Sequence, residues 1–161
     1  MWHINSDYNS PDFYQSLEKE LFSLIEGEKN LIANLANIAS WIYHAIPDLN
    51  WSGFYLWNEE DEELVLGPFQ GKPACIRIKP ERGVCGKAYS TASTQRIDDV
   101  HSFPGHIACD AASESELVVP LIKNGKVMGV LDLDSPHPNR FNDRDQTELT
   151  RIMNLISKRI Y

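Results

Sequence analysis

Residues 116–135 read ELVVPLIKNGKVMGVLDLDS, and this stretch decides the fold. Two aliphatic, β-prone runs flank Asn124-Gly125, a dipeptide typical of the tightest hairpin turns. In the second run alternate side chains project to opposite faces of a strand, so Asp132 and Asp134 share one face. The stretch therefore predicts an antiparallel hairpin in the centre of a sheet, with a pair of carboxylates on one face.

The chain upstream of this hairpin predicts further strands. Residues 51–57 (WSGFYLW) and 63–69 (ELVLGPF) are β-prone runs separated by a charged turn, which indicates a second hairpin. Residues 74–78 (ACIRI) predict a third strand and residues 95–97 (QRI) a brief extended piece, while residues 84–92 predict a short helix. We therefore expect an antiparallel sheet of several strands.

Amphipathic helices are predicted at both ends of the chain. Residues 11–25 and 28–46 carry apolar side chains at helical spacing, and Pro47 ends the second helix. Residues 141–160 predict a terminal helix with Asn142 as its N-cap. The order of elements describes an α+β domain, in which helices pack on one face of the antiparallel sheet and loops build a pocket on the other.

The length and charge of the chain limit the classes to which it can belong. A chain of 161 residues fits a single domain spanning 1–161, with an N-terminal helix in 1–27 and the second helix, sheet and C-terminal helix in 28–161. The net charge is −8 and no segment concentrates Lys and Arg, so we expect no nucleic acid partner. The first residues lack the basic start and apolar stretch typical of a leader peptide, and no run approaches about 18 apolar residues, so we expect no membrane association and a cytoplasmic location.

Chemical reactivity is expected at the cysteines, because none of the three lies in a clean amphipathic stripe. In a reducing compartment, cysteine pairs are more often transient, catalytic or metal-bound than structural. Cys109 lies in the irregular polar segment 98–113, and a loop of this length in a small domain is usually functional or disordered. Cys85 lies at a predicted helix start, where the helix dipole is expected to lower the pKa of its thiol.

Two other interpretations of the cysteines stay open at this point. All three can be inert, since free cysteines are often simply buried. The other interpretation is a zinc site, for which suitable ligand types are supplied by Cys75, Cys85, Cys109, His101 and His106. No Cys-x-x-Cys or His-x-x-x-His spacing accompanies them, and we predict no metal.

Several longer strings of the sequence resemble one family. They are NWSGFYLW (50–57), LVLGPFQGKPACIRI (64–78), RGVCGKA (82–88), QRIDDVHSFPGHIACDAASESELVVPL (95–121), GVLDLDS (129–135) and RFNDRDQ (140–146). Together they resemble the GAF-domain free methionine-(R)-sulfoxide reductases over nearly the whole chain after the first helix. The resemblance implies a single GAF domain that reduces free L-methionine-(R)-S-oxide to L-methionine.

The resemblance also assigns roles to the cysteines. Cys109 corresponds to the cysteine that attacks the sulfoxide and becomes a sulfenic acid, and Cys75 corresponds to the partner that forms a disulfide with it. Cys85 corresponds to a third cysteine, whose part in resolution stays open. No bound cofactor is expected because the sulfur atoms carry the electrons, and a thioredoxin is implied as the electron donor.

The substrate site of the family corresponds to acidic and aromatic residues on the predicted strands. Glu116, Asp132 and Asp134 are expected to bind the ammonium group of the free amino acid, and one of them, kept protonated by a like-charged neighbour, is expected to act as the acid. Trp51 and Tyr55 are expected to enclose the methyl-sulfoxide end. On the pattern alone, the carboxylates could instead be solvated and the aromatics plain core residues. The family also implies a homodimer.

A function of a different class stays open beside the enzyme. A non-catalytic GAF module could bind a small ligand or sense oxidants through its cysteines. Sensors of this kind are normally joined to an output domain, and the expectation that this chain is one domain favours the reductase.

Overall fold

The computed structural model of the protein describes residues 2–107 and 109–161. The helices are α1 (Phe13–Leu24), α2 (Leu31–Ala45), α3 (Gly83–Thr91) and α4 (Asp143–Ile160), with a 3-10 turn at Val100–Ser102. The strands are β1 (Trp51–Asn58), β2 (Glu63–Gly71), β3 (Arg77–Ile78), β4 (Gln95–Ile97), β5 (Ser115–Lys123) and β6 (Lys126–Ser135). The α+β class predicted from the sequence is confirmed.

In the described part of the chain, one antiparallel sheet contains the six strands, in the order β3-β2-β1-β6-β5-β4. The hairpin β5–β6 turns at Asn124 and Gly125, whose φ angles of 51° and 77° are those of a type I′ turn. β1 and β6 pair at the centre of the sheet although 67 residues of the chain, 59–125, lie between the end of β1 and the start of β6. The central pairing therefore joins the two predicted hairpins into one sheet.

The two faces of the sheet bury separate groups of side chains. Helices α1, α2 and α4 cover one face, where Phe54, Leu117, Leu131 and Leu133 pack against them. The other face carries a smaller apolar group, which consists of Trp51, Tyr55, Leu64, Ile78, Val84, Cys85, Ala88, Val118 and Val130. Because residues of one strand alternate between the faces, the same strand β6 supplies core residues to one side and pocket residues to the other.

Polar side chains begin two of the helices. Asn30 accepts a hydrogen bond from the Ala33 amide, so α2 begins at Leu31 rather than at the predicted residue 28. The predicted N-cap Asn142 accepts from the amide of Asp145, while the Asp145 carboxylate accepts from the amide of Asn142, which completes a capping box.

Asp145 also connects the start of α4 to the N-terminal part of the chain. Its buried carboxylate accepts hydrogen bonds from the hydroxyls of Tyr14 (2.5 Å) and Tyr8 (2.9 Å). The Arg140 guanidinium lies 3.4 Å from the same carboxylate and stacks over the Tyr8 ring. Burial raises the pKa of both tyrosine hydroxyls, and the negative charge of the nearby Asp145 raises it further. These contacts tie α1, the segment before it and α4 into one unit.

Two further sequence expectations differ from the structure. The third strand is only Arg77–Ile78, so Cys75 lies in the loop before it rather than within a strand. The short helix α3 packs on the pocket face of the sheet, so the helices do not all lie on one side. No helix among residues 2–107 and 109–161 is both long and apolar enough to cross a bilayer.

Candidate active site

A pocket opens on the sheet face that carries α3. Its wall is formed by β1, the loop 72–75, the start of α3 and the segment 106–113, and its floor by β5 and β6. Seven of the eight predicted site residues line it: Trp51, Tyr55, Cys85, Cys109, Glu116, Asp132 and Asp134. The free interior volume is about 40 Å³, which is room for a few water molecules.

The strand register places three carboxyl groups together on the floor. Glu116 on β5 lies directly opposite Asp134 on β6, and Asp132 projects to the same face two residues earlier. Glu116 and Asp132 are only 5% and 6% exposed, and Asp134 is partly buried. The period-2 pattern of LDLD thus correctly predicted that the two aspartates share a face.

Electrostatics at this floor disfavour ionisation of every carboxyl group. Burial is the main cause that raises the pKa of Glu116, Asp132 and Asp134 well above their usual values. The negative charge of a neighbouring carboxylate raises each pKa further. Asp134 acts in this way on Glu116, Glu116 on Asp132, and Asp132 on Asp134. Burial and mutual repulsion thus favour the protonated form of each carboxyl group in the cluster, and the buried Oδ1 atom of Asp132 accepts no hydrogen bond.

A disulfide bond closes one side of the pocket. It joins Cys75, in the loop after β2, to Cys109, in the segment before β5, with Cα atoms 5.7 Å apart. Cys109 lines the pocket. Cys75 does not, but it follows the pocket-lining Ala74 in the chain. The structure therefore shows the pairing that the resemblance implied.

Cys85 is the free cysteine, and its environment contradicts the prediction of a lowered pKa. It is the third residue of α3, as expected, but it is only 3% exposed and packs against the carboxyl cluster. Burial raises the pKa of the thiol, and the charges of Asp132 and Glu116 raise it further. The helix dipole at the start of α3 favours the thiolate by at most about 2 kcal/mol. This is too little to offset the effects of burial and of the negative neighbours on the pKa of the thiol.

Trp51 and Tyr55 stack on each other over the pocket, with ring centroids 5.9 Å apart. Gly53 lies between them on the same strand face, and a Cβ atom there would come within 2.5 Å of the Trp51 ring. The missing side chain lets the indole lie flat, between Tyr55 and Phe69. This explains why WSGFY carries a glycine between its two aromatics.

The same two aromatics hold the loop that carries Cys75. The Trp51 indole N–H donates to the carbonyl of Lys72 (3.0 Å), and the Tyr55 hydroxyl donates to the carbonyl of Cys75 (2.8 Å). The sequence suggested only that these rings enclose a ligand. Their polar ends also fix the position of the loop cysteine.

We expect the Tyr55→Phe substitution to slow formation of the Cys75–Cys109 disulfide by about two- to tenfold. The substitution removes one hydrogen bond, worth about 0.5–1.5 kcal/mol, that holds the Cys75 backbone near Cys109. The rate is measured by adding peroxide to reduced protein and alkylating the remaining thiols at timed intervals before mass spectrometry. Tyr89→Phe is the matched control, since Tyr89 stacks on Trp57 away from this loop; equal rates for Tyr55→Phe and the native protein would contradict the positioning role.

Sequence reasoning did not place two polar residues, His106 and Asp110, in the pocket. His106 lies with its Nε2 atom 3.6 Å from Oε2 of Glu116, and partial burial lowers the pKa of its imidazole. Asp110 lines the pocket beside Ser113, and the Asn50 amide donates to both side chains. The sequence signal that could have identified both residues is that they lie close to Cys109 in the chain. Loop residues follow no helical or strand period, however, so the sequence does not show the direction of their side chains.

The basic residues near the cysteines occupy different positions. Arg82 lines the pocket. Arg77 instead binds Asp61 and Glu63 at 2.6 Å each. Lys87 lies over the Phe103 ring. Arg82 is thus the one of the three placed to meet a ligand.

Comparisons with known proteins agree with this geometry. The sequence model of the GAF domain matches residues 33–160. The chain is 50% identical over 159 residues to protein YtsP of Bacillus subtilis, covering 98% of each chain. It is 49% identical over 150 residues to the free methionine-R-sulfoxide reductase of Escherichia coli, covering 93% of this chain and 90% of that protein. The solved structure of the free methionine-R-sulfoxide reductase from Neisseria meningitidis in complex with its substrate matches with a TM-score of 0.94 and 38% identity, covering 99% of this chain and 96% of that one. The chain therefore belongs to the GAF-domain family and, within it, to the group of the free methionine-R-sulfoxide reductases.

Proposed function

We propose that this protein reduces free L-methionine-(R)-S-oxide to L-methionine, with Cys109 as the nucleophile and Cys75 as the resolving cysteine. The observation that carries the proposal is the Cys75–Cys109 disulfide at the edge of a pocket floored by three carboxyl groups. A disulfide is the form in which two cysteines are left after they have reduced a substrate. The names of two relatives supply the substrate.

The pocket suits a free amino acid rather than a residue within a peptide. The ammonium group of the substrate binds the acidic floor, where the unpartnered Oδ1 of Asp132 accepts one of its hydrogen bonds. A peptide nitrogen is an uncharged amide and gains much less from this floor. The methyl-sulfoxide end lies under Trp51 and Tyr55, and Arg82 and Ser113 line the wall that faces the carboxylate of the substrate.

The chemistry balances with two thiols as the reductant. The Cys109 thiolate attacks the sulfoxide sulfur, and a protonated carboxyl of the cluster gives its proton to the sulfoxide oxygen. The bond between the methionine sulfur and the oxygen breaks as the oxygen, with its new proton, is transferred to the Cys109 sulfur, so methionine leaves and Cys109 becomes a sulfenic acid. The thiol of Cys75 then attacks the Cys109 sulfur, which forms the disulfide and releases water. Two thiols and one sulfoxide thus give one disulfide, one sulfide and one water molecule, without a bound cofactor.

Regeneration needs an external dithiol, which we propose to be a thioredoxin in the cytoplasm. One thiolate of the donor attacks the disulfide to give a mixed disulfide, and its second thiol releases the reduced protein. The large apolar side chain of Ile76, 66% exposed, lies next to Cys75 and offers a contact for such a partner. We also propose that the active protein is a homodimer.

The experiment that tests the function supplies the separated R and S epimers of free methionine sulfoxide to the protein together with NADPH, thioredoxin and thioredoxin reductase. We expect oxidation of NADPH with the R epimer alone. Mass spectrometry after one turnover without thioredoxin is expected to show the loss of two hydrogens and a Cys75–Cys109 bond. No turnover with either epimer by folded, reduced protein would overturn the proposal.

An oxidant sensor is the second candidate, because the same disulfide could record exposure to peroxide. The two candidates differ in what forms the bond. In a reductase, one equivalent of the R epimer produces the disulfide and one equivalent of methionine. In a sensor, peroxide produces the disulfide and methionine sulfoxide does not.

A further inference from the structure

We propose that the floor of the pocket binds a zinc ion through Cys85, Glu116 and Asp132, and that free zinc thereby inhibits the protein. One ligand atom from each of these three side chains, a thiol sulfur and two carboxyl oxygens, lies within 4.8 Å of the others. All three side chains are buried. They come from α3, β5 and β6, so the fold and not local sequence spacing brings them together.

An independent observation points to a cation at this place. Asp132 is only 6% exposed, and its buried Oδ1 atom accepts no hydrogen bond. A buried carboxyl oxygen without a partner is costly, and a bound cation removes that cost. The neighbouring sulfur decides which cation, because a thiolate selects zinc over magnesium or calcium.

The three ligand atoms, which lie within 4.8 Å of one another, need to move closer to form a tetrahedral zinc site. Zinc bonds of about 2.0–2.3 Å place neighbouring ligand atoms about 3.3–3.8 Å apart, so shifts of about 1 Å complete the geometry. His106 lies outside this set, although its Nε2 is 3.6 Å from Oε2 of Glu116, so water is expected to complete the coordination. On binding, Cys85 enters as the thiolate, and its proton leaves to solvent.

Inhibition follows from where the ion lies, and this part rests on the proposed function. The ion and the ammonium group of the substrate require the same oxygen atoms of Glu116 and Asp132. The zinc ion is expected to act as an inhibitor that competes with methionine sulfoxide, not as a cofactor. The absence of Cys-x-x-Cys spacing, which made a structural zinc site unexpected from the sequence, does not bear on a site assembled from three elements.

The test uses Co²⁺ as a spectroscopic substitute for Zn²⁺ and the oxidised protein without added thiols. In this form the disulfide occupies Cys75 and Cys109, so Cys85 is the free thiol among the three cysteines of the chain. We expect a thiolate-to-cobalt charge-transfer band that saturates at one equivalent and disappears when Zn²⁺ is added. Cys85→Ser is expected to remove the band, and Asp132→Asn to weaken Co²⁺ binding by more than about tenfold.

Asp99→Asn is the matched control. Asp99, His101 and Glu114 form another set of potential ligands, but this set is largely exposed, and its loss is expected to leave the band unchanged. The proposal is wrong if the native protein shows no band at millimolar Co²⁺, or if the band survives Cys85→Ser. Thermal melting of each variant establishes that it is folded. Because the titration needs no turnover, a protein that binds Co²⁺ but reduces no sulfoxide would refute the proposed function and leave the metal site standing.

Discussion

Replacing Cys109 with serine is expected to lower kcat for free methionine-(R)-sulfoxide by at least about a thousandfold. A serine hydroxyl remains protonated at neutral pH and attacks sulfur poorly, whereas a thiolate is both the nucleophile and the carrier of electrons. The substitution also removes one of the two sulfur atoms of the disulfide, so the oxidised form that thioredoxin would reduce cannot form. NADPH oxidation with thioredoxin and thioredoxin reductase measures the loss.

Cys75→Ser separates attack from resolution. This variant keeps the nucleophile, so we expect it to release one equivalent of methionine and then stop with a sulfenic acid at Cys109, which a cyclic diketone traps for mass spectrometry. Cys109→Ser is expected to release none. If Cys109→Ser gave the single equivalent and Cys75→Ser did not, the two roles would be exchanged.

The Asp145→Ala substitution is expected to lower the free energy of unfolding by about 3–5 kcal/mol. It leaves the buried Arg140 guanidinium and the hydroxyls of Tyr8 and Tyr14 without their shared acceptor, and it removes one half of the capping box of α4. Domains of this kind have a total stability of about 5–15 kcal/mol, so the loss is a large part of it. Urea unfolding followed by far-UV circular dichroism measures the change.

Asp143→Ala is the control for this substitution. Asp143 begins the same helix and binds Arg96, but its side chain is 94% exposed, and such ion pairs contribute about 0–1 kcal/mol. We expect the control to change the unfolding free energy by no more than that. A loss at Asp145 as small as the loss at Asp143 would show that the buried contacts do not stabilise the N-terminal unit.

Local sequence signals predicted the parts of the fold that local interactions determine. The hairpin β5–β6 follows from a turn dipeptide and alternation, and α4 follows from its cap and its helical spacing. The third strand was predicted too long because the residues before Arg77 are held by Trp51 and Tyr55, which lie on another strand. The division of the chain at residue 27 remains a prediction.

The site was predictable to the extent that its residues share a strand. Asp132 and Asp134 follow a period of two, and Trp51 and Tyr55 follow the same period on β1. The high pKa of Cys85 was not predictable, because it depends on carboxyl groups that α3 meets only after β5 and β6 have paired. The place of His106, considered from the sequence only as a candidate zinc ligand, was not predictable for the same reason, since its contact with Glu116 exists only in the folded chain.

The disulfide across the pocket has a consequence for the search for inhibitors. With Cys75 joined to Cys109, the loop after β2 and the segment before β5 are fixed to each other at the pocket wall, with Cα atoms 5.7 Å apart. A compound library screened against air-oxidised samples would therefore select compounds that fit this bonded wall. The same library is expected to return a different set of compounds with protein kept under a reducing agent, where the two wall segments are no longer bonded to each other.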